Sequence, residues 1–227
     1  PDFKSKFAVY HQRYSTNTFP TWSLAQPFRV LAHNGEINTL KGNLNWMKAH
    51  ETRITDDFYG DRVEDLKPIL DSDASDSASL DAAFEILLQT DRSLPMTKSM
   101  IIPESWSNNN DMPDELKKMY AYCNAVIEPW DGPAAVCANF GDWIISGMDR
   151  NGLRPLRYII TDDDLLISGS EVGMVIIDDK NILKKGRVGP GELIAINYKE
   201  KKFYQSDELK KQLAKQNPYV DWNKNTI

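Results

Sequence analysis

The sequence predicts an α+β domain in which helices pack on antiparallel sheets. Apolar residues recur at helical spacing between about residues 75 and 127. Beyond Pro133 the period drops to two, and strand-like runs are joined by turns of two or three residues. Connections that short make antiparallel neighbours, because a parallel pair needs a crossover of roughly a dozen residues or more. The 227 residues are 41% hydrophobic and 10% aromatic, enough to bury a core.

The elements are predicted in order. Phe7–Tyr10 and Phe28–Ala32 look like short strands, with residues 15–22 between them as a long, ordered loop. Leu80, Ala83, Phe84, Leu87 and Leu88 form one buried helical stripe, and Ser75 or Ser77 can cap it. A second helix spans about Pro113 to Ile127, with Pro113 suited to its first turn and Pro129 ending it. Ala134–Phe140 and Trp143–Met148 flank Gly141-Asp142, a two-residue hairpin signal. Leu156–Thr161 and Leu165–Ser168 flank a second turn, Glu192–Tyr198 and Lys202–Tyr204 suggest a third hairpin, and Ser206–Gln216 reads as a polar helix. No shift in composition asks for two domains, so residues 1–227 are expected to form a single one.

Composition excludes several function classes. With 27 Lys+Arg against 33 Asp+Glu the formal charge is −6, which argues against a nucleic-acid partner. The longest apolar runs, such as Val175-Ile176-Ile177, fall far short of a membrane span, and no apolar stretch behind Pro1–Lys6 suggests a signal peptide. Two cysteines make no disulfide framework, so a reducing, cytoplasmic compartment is expected. No metal is expected either, because there is no Cys-x-x-Cys and the three histidines lack helical-pair spacing.

Three features could carry chemistry. Arg13, in His11-Gln12-Arg13-Tyr14-Ser15-Thr16, offers a planar fork for a carboxylate, and Thr16 adds a hydroxyl. A surface ion pair is the plainer alternative. Asn34-Gly35, at a strand end, could aim an amide side chain and a backbone N–H at one oxygen, as an oxyanion hole does; an ordinary Asn-Gly turn is the alternative. The acidic run Asp71–Ser77 could bind an ammonium group or simply cap the helix, whereas Asp81, inside the helix, is expected to point away from a site. Together these suit an amino acid with a reactive side-chain amide. A nucleophile is not evident, since Cys123 and Cys137 both sit in apolar patterns.

At these residues the chain resembles the glutaminase domain of glutamate synthase, a class II glutamine amidotransferase with the N-terminal-nucleophile hydrolase fold. The matching segments are His11–Trp22, Ala25–Arg29, His33–Thr39, Asn43–Met47, Ser75–Asp81, Asp149–Pro155 and Ser170-Glu171. The resemblance implies an αββα sandwich. It implies that Arg13 and Thr16 hold the glutamine α-carboxylate, that Asp76 takes the α-ammonium, and that Asn34 and Gly35 form the oxyanion hole. Partners implied are L-glutamine and downstream synthase domains of the same chain. FMN and an iron–sulfur cluster are implied for the full-length protein, with no cofactor in this segment. The family's nucleophile is an N-terminal cysteine. Because the chain starts at Pro1, it is expected to be a partial type-2 amidotransferase domain, incomplete at its N-terminal side and inactive alone. The alternative is a non-catalytic amino-acid-binding or regulatory module that keeps the pocket without a nucleophile. The electron donor, ferredoxin or a nicotinamide, stays open.

Overall fold

Residues 3–14, 19–54, 60–171 and 173–226 are described by a computed structural model. Strand β1 (Leu31–Gly35) begins three residues later than predicted. The amides of Arg29, Val30 and Leu31 donate to the Asp81 carboxylate, which holds the chain at the point where it enters the sheet. Residues 7–10 form no strand; Phe7 instead stacks on Tyr198 at 5.6 Å.

Helix α1 (Leu40–Glu51) was not predicted, because it is mostly polar and buries only Asn43 and Met47. Helix α2 (Asp76–Leu88) follows, and the Ser75 hydroxyl caps it by accepting from the Ala78 N–H. Helix α3 (Leu94–Ile101) is buried at every residue, and all-round burial erases the polar face that makes a helix legible in sequence. Helix α4 (Asp114–Val126) has Pro113 at its N-cap, close to the predicted bounds.

The three hairpins expected beyond Pro133 are present, with strand ends within a residue of the expected ones. β2 (Ala134–Phe140) and β3 (Trp143–Met148) form the first hairpin, with Gly141 at φ +57° in its turn. β4 (Arg157–Thr161) and β5 (Leu166–Gly169) form the second, and an unpredicted strand β6 (Ile182–Arg187) pairs with β4. β7 (Leu193–Asn197) and β8 (Lys202–Tyr204) make the third hairpin. Helix α5 (Ser206–Lys215) lies where the polar tail was read as helical. Helix α6 (Tyr219–Thr226) was not predicted; it packs Tyr219 and Trp222 against Tyr122 at 5.3 and 5.0 Å.

All strand pairings among the described residues are antiparallel. One sheet has the order β1-β2-β3-β7-β8 and the other β5-β4-β6, so the chain is α+β as predicted. Helix α2 packs on β1, α3 on β2 and β3, and α5 on β7. Leu31, Leu80, Phe84, Ile101 and Tyr120 lie in the resulting core. Ala135, Met148, Tyr158, Val188 and Ile194 form a second core between the two sheets. The described residues thus layer as helix, sheet, sheet. One buried cation crosses the first interface: Lys98 of α3 donates to the Met148 carbonyl at 2.7 Å. Burial, with repulsion from Lys210, pushes its pKa down to about 7.

Candidate active site

The site grows from the last two residues of β1. Asn34 and Gly35 are strand residues opposite Ala135 and Ala134, so the Asn-Gly pair is no hairpin turn. In an antiparallel ladder, alternate residues turn both backbone groups to the partner strand or both away. The Asn139 N–H bonds the Val30 carbonyl, and the Glu36 N–H bonds the Pro133 carbonyl at 2.9 Å. Even-numbered residues of β1 therefore face β2. Odd-numbered ones face the open edge of the sheet, and accordingly the His33 N–H reaches out to Gln26 Oε1 at 2.7 Å. By that parity the Gly35 N–H points off the edge, unused by the ladder. The half-buried Asn34 amide makes no hydrogen bond among the described residues. Two donors at the end of one strand are thus uncommitted among the described residues.

Asp76 stands at the N-terminus of α2 beside the chain leaving β1. Its Oδ2 accepts the Ile37 N–H at 2.8 Å and its Oδ1 accepts the Ser77 N–H at 2.7 Å. Oδ1 also takes the Ser77 hydroxyl at 3.3 Å; these bonds fix the carboxylate and leave Oδ2 a lone pair for an ammonium donor. Behind it, His33 Nδ1 lies 2.8 Å from Ser77 Oγ, and both side chains are buried. His33 Nε2 faces the Pro133 carbonyl, its only polar neighbour there among the described residues and too poorly aligned for a good hydrogen bond, and Gly35, where an added Cβ would come within 2.8 Å of it. Burial holds the His33 pKa down at about 4, against the opposing attraction of Asp76 and reinforced by Arg154 and His11. Ser77 and His33 resemble a nucleophile and its base, but burial denies substrate access to both.

A pH dependence follows from His33. Its folded pKa of about 4 lies below the ordinary 6.5. Between those values the unfolded chain binds the proton and the folded one does not, so stability falls as pH drops from 6.5 to 4 and levels off below. The loss attributable to His33 is roughly 3 kcal/mol. Urea titrations at pH 4.5 and 7 should show this slope, and His33→Gln should flatten it. An unchanged slope in the variant would place the titrating group elsewhere.

Arg13 is exposed, and its guanidinium makes no ion pair among the described residues. Its carbonyl oxygen lies 2.6 Å from His11 Nδ1, and the next residue, Tyr14, forms an antiparallel bridge with Ala25. His11 is close enough to act on the His33 charge. Thr16 lies outside the described residues. The remaining cysteines match their sequence pattern. Cys123 is buried and its thiol is pushed up to about 12; Cys137 lies beside Ser146 on β2 and burial raises it too.

Several residues that build the site had no role in the sequence reading. Asp81 was expected to point away; it is buried and clamps the entry to β1 through three backbone amides. Its signal was faint, a lone acid inside an apolar helix stripe. The segment 131–133 lies against residues 35–39. The Asp131 carbonyl accepts the Asn38 N–H at 2.8 Å, and the Asp131 N–H donates to Thr39 Oγ1 at 2.9 Å. A Cβ on Gly35 would lie 1.8 Å from the Pro133 oxygen, and one on Gly132 2.0 Å from the Glu36 oxygen. Two backbones meet here with no room for side chains.

Over residues 1–222 the sequence matches the family described as Glutamine amidotransferases class-II, and the chain belongs to that family. It is therefore an enzyme domain. It is 55% identical to the large chain of the NADPH glutamate synthase of Azospirillum brasilense, over 99% of this chain and 15% of that protein. It is 45% identical to the ferredoxin-dependent glutamate synthase of Pyropia yezoensis, over 96% of this chain and 14% of that protein. The chain thus spans about one seventh of the length of these curated relatives. A solved glutamine phosphoribosylpyrophosphate amidotransferase from B. subtilis aligns with a TM-score of 0.43 at 19% identity, over 86% of this chain and 34% of that one.

Proposed function

We propose that this chain is part of the glutaminase domain of a glutamate synthase and that the end of β1 is its oxyanion site. In this reading L-glutamine is hydrolysed to glutamate, and the ammonia passes to downstream domains of the same chain to form glutamate from 2-oxoglutarate. The observation that carries the reading is the pair of uncommitted donors, the Gly35 N–H and the Asn34 amide, beside a carboxylate already fixed for an ammonium group. Arg13 holds the α-carboxylate with Thr16 beside it, and Asp76 holds the α-ammonium. A thiolate attacks the amide carbon and the carbonyl electrons move onto oxygen, which Asn34 and Gly35 stabilise. The α-amino group of the cysteine that carries this thiol, the base that the family resemblance implies, takes the thiol proton and passes it to the leaving nitrogen, so collapse expels ammonia and leaves a thioester, which water hydrolyses to glutamate and free thiol.

The thiol is the N-terminal cysteine that the family resemblance implies. Neither Cys123 nor Cys137 suits the role, because burial keeps both protonated at neutral pH. The same chemistry disfavours an iron–sulfur cluster on this chain, since such clusters need several thiolates. The relatives include NADPH- and ferredoxin-dependent synthases, so these residues are compatible with either electron donor. Among the described residues, no helix is long and apolar enough to cross a membrane.

The test is Arg13→Ala in the complete protein, with glutamate release measured against glutamine concentration. A charge-assisted hydrogen bond contributes about 1.5–3 kcal/mol, so KM should rise roughly 10- to 100-fold. As a control, the 227-residue chain alone should release no glutamate. An unchanged KM would remove Arg13 from the carboxylate site. Turnover by the chain alone that survives Cys123→Ser with Cys137→Ser would mean that the nucleophile lies within it.

A further inference from the structure

We infer that Arg150 is a positioning residue for the oxyanion site, acting through Asp131. Arg150 lies just past β3 and grips Asp131 with a two-pronged fork: Nε to Oδ1 at 3.0 Å and a terminal nitrogen to Oδ2 at 2.8 Å. Such a planar pair fixes orientation as well as distance. The backbone of Asp131 is what holds Asn38 and Thr39, and two residues on, the Pro133 carbonyl holds the Glu36 N–H. These bonds bracket the stretch that follows Gly35. The Arg150 end of the fork is itself anchored. The adjacent Asp149 is buried, and its carboxylate accepts the N–H groups of Ala134, Asn151 and Gly152 at 2.9, 2.9 and 3.1 Å. The Asp149 N–H returns to the Ala134 carbonyl at 2.9 Å. Asp149 therefore ties the loop after β3 to the first residue of β2, the cross-strand neighbour of Gly35.

A rigid path thus runs from the loop after β3, through Asp131 and Pro133, to the direction of the Gly35 N–H. The close approach makes the path stiff. Gly132 at φ +149° and Gly35 leave the two backbones no gap to take up a shift. The Arg150–Asp131 pair is itself about half exposed, so the fold does not depend on it in the way it depends on a buried group. Its geometry serves the carbonyls that hold Glu36 and Asn38 from the β2 side, opposite the edge toward which the Gly35 N–H points. The oxyanion donors are worth most when charge develops on the substrate oxygen, so slackening the brace acts on turnover more than on binding.

The inference rests on the oxyanion reading above, and the experiment separates the two. In the complete enzyme, kcat and KM for glutamine are measured for Arg150→Ala, Arg150→Lys, Asn34→Ala and the double variant Arg150→Ala with Asn34→Ala, alongside thermal unfolding. Arg150→Ala should lower kcat about tenfold with KM within twofold and the melting temperature little changed. Arg150→Lys keeps the charge but loses the fork, so it should recover only a small part of that loss. The double variant should be no slower than Asn34→Ala alone, because the brace acts through the donors. Wild-type kcat in Arg150→Ala, full rescue by Lys, or additive losses in the double variant would each overturn the positioning role while leaving the oxyanion reading intact. A normal kcat in Asn34→Ala would overturn both.

Discussion

Asn34→Ala should lower kcat for glutamine hydrolysis by about 10²–10³, roughly 2.7–4 kcal/mol of transition-state stabilisation. The glutamine KM should change little. The Asn34 side chain makes no competing hydrogen bond among the described residues, so its amide donors are available as the carbonyl oxygen gains charge. In the ground state that oxygen is nearly neutral and gains little from the same donor. Steady-state kinetics of the complete protein give the split directly. A raised KM with normal kcat would mean that Asn34 binds substrate and the oxyanion lies elsewhere.

The second large effect is on stability and falls on Asp81. Its buried carboxylate accepts three backbone amides, at 3.2 Å from Arg29 and 2.9 Å from each of Val30 and Leu31. Arg29 Nε lies 4.0 Å from it but 2.6 Å from Glu85, so its charge goes mainly to the neighbour. Asp81→Ala strands the amides in an apolar setting, where each unsatisfied group costs about 1–3 kcal/mol. We expect a loss of about 4 kcal/mol in urea unfolding, with Val30 and Leu31 losing hydrogen-exchange protection first. Asp81→Asn retains one acceptor oxygen and should lose less. A variant Asp81→Ala within about 1 kcal/mol of wild type would show that the amides find other partners.

Much of this was legible in the amino acids. The hairpin of β2 and β3 was predicted to the residue because its strands alternate and Gly141 marks the turn. Helix α2 was readable from one apolar stripe, and Ser75 was one of its two predicted caps. Helix α3 was not, because a helix buried on every side has no period to detect. For the site, residue type suggested the chemistry of Arg13, Asn34, Gly35 and Asp76. Proximity was not readable. The bond from Ile37 to Asp76 spans 39 positions, and the clamp from Asp81 to Leu31 spans 50. The direction of the Gly35 amide depends on strand register, which no local pattern encodes.

That register has a further consequence. Whether an amide of β1 is consumed by its neighbour or offered outward is set by counting, odd or even, from the bond between Val30 and Asn139. The outcome is binary, as a gear tooth either meshes or does not. A side-chain replacement leaves the count alone and degrades the site by degrees. Loss or gain of one residue between Val30 and Gly35 flips it. The Gly35 N–H, the proposed oxyanion donor, would then turn inward to β2, and Asn34 would change faces of the sheet. Substitutions short of Gly35 in this stretch are therefore graded in their effect, whereas changes in its length are all-or-nothing.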